Sequence, residues 1–543
     1  MTSSVDEQTP IDHAFNYGYL AADHAVEVSD LAGWRAEAFG NLTVRLHPKT
    51  TWAVHEGNQV RAAVIGEPID LTDDIVDPEI VVSTIGHLLE AEGLQQALRR
   101  VAYLGGRWTA MLYDGTETVL ITDFAATQAV FWHHDERGTT FSNYSHLLAE
   151  ATGAELNTPY RELMASPRDH GAKGTIYWPG VETPFIGVLP VLPNHALHLK
   201  AGSTPQHRRY YPFPETTAIR DSEKAYEAFR DLFIRHVRLI CASTDQIGIS
   251  LTGGTDSRST LAATAPYLNT DTAVTWTYID VSNPHAGMAA DLEAAVKLAE
   301  LYGLRHQVID LSPNVLKALS TTAGTDYGRS YERSLRYSRQ FRRVSVAYAE
   351  QLPVDTVQLQ SMVAEVGTGF YKKRSGQPDV ERLSYLYNSS PFHEHPLVRS
   401  AFERYVDYAG LDTEYPGPFD WHDLFYVEGR LGRWATLRIQ EVDLAHRVQL
   451  PFNARGIVEA LAGPLLEDRV DKQALKRFVA EHEPAGMEPS AAPEGTTAAA
   501  VPATAAQAAS VQAAPTQVRP KPSLVRRAVR KISRLVGSSR SAR

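Results

Sequence analysis

The stretch from Ile247 to Leu268 constrains the fold more than any other. Ile247-Gly-Ile-Ser-Leu251 is a short apolar run of strand length that passes directly into Thr252-Gly253-Gly254, and helical spacing follows from about Ser257 to Leu268. A buried strand that turns on two glycines into a helix is half of a βα unit, and it requires a parallel sheet with helices on its faces. The alternation continues with a strand over 273–279, an amphipathic helix over 291–302 ended by Gly303, and a third strand over 306–311. Just upstream, the spacing from Ser222 to Ile240 puts Tyr226, Phe229, Leu232, Phe233 and Val237 on one side of a helix.

The first 210 or so residues read differently. Short alternating runs such as Arg107–Tyr113 and Thr118–Thr122 are separated by turn signals at Asp114-Gly115 and Arg137-Gly138, the pattern of antiparallel sheet. With 543 residues the chain exceeds one ordinary core. Five zones result: an extension over 1–13, an α+β sandwich domain over 14–212, an α/β parallel-sheet domain over 213–485, an Ala/Pro-rich linker over 486–516 and a basic tail over 517–543. The linker cannot bury enough apolar area to fold.

Charge and cysteine content narrow the function classes. The net charge is −11, yet the tail alone carries nine Arg or Lys and no acidic residue, which leaves about −20 on the rest. So acidic a body argues against nucleic acid as a partner. The single cysteine, Cys241, excludes an intramolecular disulfide framework and a cysteine-built zinc site, and reads as a small buried residue. No apolar run reaches membrane-spanning length, and the polar, acidic start of the chain is not a targeting signal; a cytoplasmic location is the expectation. In the tail, Leu524, Val525, Ala528, Val529, Ile532, Leu535 and Val536 fall on one helical stripe, with Arg526, Arg527, Arg530, Lys531 and Arg534 mostly off it. That makes a tethered basic amphipathic helix, suited to an anionic membrane surface or an acidic protein face.

The chemistry concentrates in the glycine turn. Backbone N–H groups and a helix N-terminus converge there on one point, which suits pyrophosphate, and glycine lets the backbone approach phosphate oxygens. The candidate cradle is Leu251, Thr252, Gly253, Gly254, Asp256 and Ser257, with hydroxyls from Thr252 and Ser257. A carboxylate in such a loop repels phosphate unless a divalent cation lies between them, so Asp256 is a candidate Mg2+ ligand. The Walker A pattern is absent, and Gly248-Ile-Ser250-Leu-Thr252 fails the serine-hydrolase elbow at its last position.

This loop resembles the SGGxDS pyrophosphate loop of the ATP pyrophosphatase superfamily, with Thr252 in place of the first Ser. The stretches Asp291–His306, Arg447–Glu459 and Lys472–Arg477 resemble the asparagine synthetase branch. Upstream, Gly105–Ala110, Thr122-Asp123, Phe131-Trp132, Phe141-Ser142 and Leu192–His195 are similar to the class II glutamine amidotransferase domain that precedes it. The resemblance covers about residues 14 to 480. It implies an Ntn-hydrolase-like sandwich followed by an adenine nucleotide α-hydrolase-like synthetase domain, with ATP and Mg2+ as cofactors.

Three departures accompany it. The family's glutaminase nucleophile is an N-terminal Cys opening the first strand; here the matching strand, Phe15 to Ala21, follows about 14 other residues, and no cysteine occurs before Cys241. The layout then resembles that of β-lactam synthetase and lasso-peptide cyclase relatives, which use a substrate amine. In the family's acidic motif the best match, Ser361 to Tyr371, places Glu365 where the metal-binding Asp falls. The family's catalytic Lys loop is missing, so either Lys372, Lys373, Lys472 or Lys476 substitutes, with Lys472 and Lys476 as the candidates, or amide formation is not completed. Two function classes follow. One is an AMP-forming amide ligase acting on a small-molecule or peptide carboxylate without its own glutaminase; the other is a non-catalytic nucleotide-binding or scaffold protein.

Overall fold

The computed structural model describes residues 14–484 except 30, 32, 245, 323, 338–341, 354 and 412–416. The N-terminal extension, the linker and the basic tail lie outside the described residues. No helix among the described residues is long and apolar enough to cross a membrane.

The N-terminal part is an α+β sandwich. One antiparallel sheet runs in the order Leu189–Pro190, Phe131–Asp135, Gly138–Ser142, Tyr19–Ala22, Leu42–Leu46, Arg35–Phe39; the other runs Gln206–Arg209, His195–Lys200, Glu117–Thr122, Gly105–Tyr113, Arg61–Ile69, Trp52–Glu56. Alternation along the strands turns Tyr19, Ala21, Val44 and Leu46 of the first sheet onto Ala63, Ile65, Met111 and Leu120 of the second. The opposite face of the second sheet offers Val64, Trp108, Ala110 and Leu112 to Val82, Ile85 and Leu89 of the helix Pro78–Glu92. Asp77 caps that helix by accepting the Glu79 N–H. The first sheet is covered partly by Tyr144 and Leu147, and partly by Tyr331, Leu335 and Val346 from the second half of the chain. Neither half therefore closes its core alone.

The first strand starts at Tyr19 rather than Phe15. Phe15 and Tyr17 both have positive φ (57° and 56°), so the backbone turns there before pairing begins. The Phe15 N–H donates to Ser334 Oγ, and the Gly18 N–H to the Phe15 carbonyl.

The C-terminal part is an α/β unit on a parallel five-stranded sheet, in the order Arg305–Asp310, Val274–Ile279, Ile247–Ser250, Val357–Leu359, Val448–Gln449. Its leading helix, Ser222–Ala242, is capped by Asp221 and buries Tyr226, Phe229, Phe233 and Val237, the face its spacing requires. Two helices begin earlier than periodicity alone suggests. One starts at Thr255, with Gly254 rather than Ser257 at its cap, because Ser257 turns its hydroxyl back onto the loop; the other starts at Ala286, where the His285 ring accepts the Gly287 N–H.

A polar seam joins the halves. Arg107 makes a bidentate pair with Asp443 at 2.9 and 2.7 Å, both side chains being almost wholly buried. Asn453 donates to Asp123 and to the Gly106 carbonyl, and Arg455 donates to Asn194. His236 accepts the Gly106 N–H on Nε2 at 3.1 Å, which leaves Nδ1–H to donate to the Pro451 carbonyl at 2.8 Å. Only neutral imidazole can do both, and burial holds the His236 pKa down at about 4. The unfolded chain takes up that proton near pH 6.5 while the fold resists until about 4, so acid favours unfolding across this window. His236 is expected to contribute about 3 kcal/mol at neutral pH that is lost between pH 6.5 and 4. Urea unfolding midpoints of the protein and of His236→Gln, followed over that range, check this: the variant's pH dependence should be shallower by up to one proton. An unchanged slope would remove His236 from the acid response.

Candidate active site

The parallel sheet reverses its direction of growth between Ile247–Ser250 and Val357–Leu359. From the former the chain adds strands outward on one side, then returns to place the latter on the other. Loops leaving the carboxyl ends of two such strands diverge and open a crevice, the usual ligand position in an open α/β sheet. The Gly-Gly turn leaves one of these strands. Glu365 lies past the end of the other, in the short turn Ala364–Thr368.

The turn satisfies its own hydrogen-bonding groups. Thr252 N–H donates to Ser257 Oγ at 3.2 Å, Gly254 N–H to Thr252 Oγ1 at 3.1 Å, and Gly253 N–H to Asp291 Oδ1 at 3.2 Å. Thr252 and Ser257 hydroxyls lie 3.0 Å apart. Leu251 is fully buried, with its N–H on the Trp276 carbonyl and its own carbonyl on Thr277 Oγ1, so the accessible loop begins at Thr252. Asp256 sits in the first turn of the helix, where its charge is favourable to the helix dipole.

Two carboxylates and two cations meet beside the turn. Lys472 Nζ donates to both oxygens of Asp256 at 3.1 Å. Glu365 is buried, Oε2 has no hydrogen-bond partner, and its carboxyl is pushed well above the usual carboxylate range by burial and then by the nearby Asp256 charge, against the pull of Lys472 and Arg430. An orphaned buried carboxylate oxygen beside a second carboxylate is a donor set that fits a hard divalent cation such as Mg2+. Two backbone positions at the site are bent to reach it: Val363 holds φ +82° and Lys472 φ +57°. A β-branched residue in that region costs on the order of 1–3 kcal/mol, a cost characteristic of functional positions.

Of the other lysines weighed, Lys372, Lys373 and Lys476 are exposed, and Lys476 lies one turn along the helix Gln473–His482 from Lys472. The segment beyond that helix carries Glu483, whose carboxylate pairs with Arg258 of the loop helix. Sequence reasoning missed Arg430 and Asp291. Arg430 stacks over Phe370 and Trp434, at 4.8 and 5.2 Å from the ring centroids, within a buried π-helix, Tyr426–Ala435. The available signal was three charged residues, Glu428, Arg430 and Arg433, inside an otherwise uncharged run rich in apolar residues and glycine. Asp291 was visible only as a helix residue; burial raises its pKa, and its hydrogen bond from Gly253 opposes that.

The Lys472–Asp256 contact is open to direct test. In urea unfolding, the cycle built from Lys472→Met, Asp256→Asn and the double variant should give a coupling of about 1–3 kcal/mol. Strict additivity would mean that the two side chains do not share one site.

No protein-family model and no curated protein matches the chain. Among solved structures it is similar to several at low identity, three of which follow. Glutamine phosphoribosylpyrophosphate amidotransferase from B. subtilis, complexed with ADP and GMP, has 9% identity over 64% of this chain and 76% of that one, with a TM-score of 0.21. NMN synthetase from Francisella tularensis has 13% identity over 49% and 98%, with a TM-score of 0.20. The NH3-dependent NAD synthetase from Campylobacter jejuni, in complex with nitrate, has 14% identity over 49% and 99%, with a TM-score of 0.18. Superpositions this loose leave the function of the crevice to be read from its own residues.

Proposed function

We propose that the chain is an ATP-dependent, AMP-forming amide ligase of asparagine synthetase type without a glutaminase of its own. The observation that carries this reading is the placement of Asp256 and Glu365 at the switch point of the parallel sheet, beside a Gly-Gly turn and facing Lys472 and Arg430. Asp256 and Glu365 would hold Mg2+, which when bound neutralises and orients the triphosphate. Thr252, Gly253 and Gly254 present N–H groups and, with the Ser257 hydroxyl, cradle pyrophosphate by exchanging their internal hydrogen bonds for phosphate oxygens. A substrate carboxylate attacks the α-phosphorus and pyrophosphate leaves, giving an acyl-adenylate. Ammonia or a substrate amine then attacks the acyl carbon and AMP leaves. Lys472 and Arg430 supply the positive charge that both steps need, in place of the family's Lys loop.

The missing glutaminase has support in the first sheet. A nucleophile of that class needs a free α-amino group at the head of the first strand. Here the residues before Tyr19 are internal, and the Tyr17 carbonyl accepts from Gln128 and Asn143. Cys241 lies in the helix Ser222–Ala242, and burial pushes its thiol up to about 12.

Pyrophosphate–ATP exchange over a panel of small-molecule and peptide carboxylates tests the reading. Exchange with at least one acid is expected, and Asp256→Ala should lower it by ~100-fold or more with the fold intact by circular dichroism. Exchange that survives Asp256→Ala would overturn the site. No exchange with any acid, alongside retained ATP binding, would favour the nucleotide-binding scaffold. The purified protein is also expected to release no glutamate from glutamine; measurable release would reverse the assignment of the sandwich.

A further inference from the structure

We propose that His55, His87 and Glu90 form a Zn2+ site on the N-terminal sandwich, separate from the ATP crevice and independent of the function proposed above. His55 lies on Trp52–Glu56, the outermost strand of the second sheet, and His87 and Glu90 lie one turn apart on the helix Pro78–Glu92 that covers that sheet. One ligand atom from each residue falls within 4.8 Å of the other two. His55 Nε2 is 4.0 Å from Glu90 Oε1, His87 Nδ1 is 3.6 Å from Glu90 Oε2, and the imidazole centroids are 4.8 Å apart at 74°. In a tetrahedral zinc site with bonds near 2.1 Å, neighbouring donor atoms lie about 3.4 Å apart. Small side-chain rotations reach that spacing.

Two features distinguish the cluster from a chance surface grouping. First, His55 is only 13% exposed, and its Nε2 is buried without a hydrogen-bond partner, an arrangement that costs free energy unless something occupies that lone pair or proton. Second, the space is cleared by glycine on both elements. A Cβ at Gly86 would come within 2.1 Å of the His55 ring, and a Cβ at Gly57 within 2.1 Å of Glu90 Oε1. The helix and the turn after the edge strand thus admit the two donors side by side. Two imidazoles and one carboxylate suit a borderline cation such as Zn2+ better than Mg2+ or Ca2+, and three protein ligands leave a position for water. His87, 70% exposed, stands on the solvent side. Occupied, the site fastens an edge strand to the helix over its sheet.

The untagged full-length chain, stripped with chelator, is titrated with Zn2+ against a chromophoric competitor. One Zn2+ more per chain is expected in the unchanged protein than in His87→Ala, with at least 10-fold weaker binding at that site in Glu90→Gln. Zn2+, but not Mg2+, should raise the unfolding temperature of the unchanged protein and not that of His87→Ala. His87 is exposed, so that variant keeps its packing, and equal unfolding temperatures without zinc verify it. Equal zinc stoichiometry and affinity in all three proteins, or no uptake by the unchanged chain, overturns the proposal.

Discussion

The buried pair between Arg107 and Asp443 is the contact on which the rest of the arrangement depends. Arg107 stands on a central strand of the sandwich, donates also to the Val448 carbonyl, and so fixes the chain where it enters the last strand of the parallel sheet. Val448–Gln449 pairs directly with Val357–Leu359, the strand that leads to Glu365. Desolvating two charges offsets much of their attraction, so such a pair adds little net stability, whereas loss of one partner costs about 3–5 kcal/mol. Its value is specification: a single docking of sandwich on sheet satisfies both groups. On the proposal that the sandwich has no glutaminase, this gives it a structural role. It completes the core of the parallel-sheet half and sets the edge of its sheet.

The π-helix Tyr426–Ala435 extends the same logic into the crevice. Wider turns of this kind are rare and recur at functional sites. Here Glu428 faces the sandwich, accepting from Arg209 and Asn194, while Arg430 reaches the field of Glu365. Two residues apart, one carries the seam and the other the site. A shift in docking that disturbed Glu428 would move Arg430 with it, which couples the two halves mechanically.

Much of this was legible in the sequence where local rules decide. The strand, glycine turn and helix at Ile247–Thr264 follow from periodicity and from the need of two glycines at a close approach. Three of the five parallel strands followed to within a residue or so at each end, whereas Val357–Leu359 and Val448–Gln449, too short to show a pattern, did not. Where capping groups decide, boundaries moved: His285 lengthens one helix, and Ser257 bonds backwards instead of capping. Where long-range pairing decides, sequence was silent. Lys472 meets Asp256 across 216 residues and Arg107 meets Asp443 across 336, and no local pattern encodes either. Four of the segments that resemble a known family, Gly105–Ala110, Thr122-Asp123, Leu192–His195 and Arg447–Glu459, contribute groups to the seam, while Asp291 and Lys472 from two others lie at the crevice.

The charge arrangement of the crevice follows from the same constraint. Asp256, Glu365 and Asp291 bring three carboxyl groups to one turn, and Lys472 and Arg430 bring two cations. Lys472 is held by Asp256, Glu365 has an unpartnered oxygen, and Asp291 accepts a backbone N–H of the Gly-Gly turn. On the function proposed above, a metal–triphosphate would replace each of these contacts: the cation for Lys472 on Asp256, the same cation for the missing partner of Glu365, and phosphate oxygens for the Asp291 carboxylate. Either half alone, bare phosphate or bare cation, relieves fewer of them, since phosphate without a cation meets three carboxyl groups and a cation without phosphate leaves the turn filled. Under the function proposed above, the crevice would accept the two together.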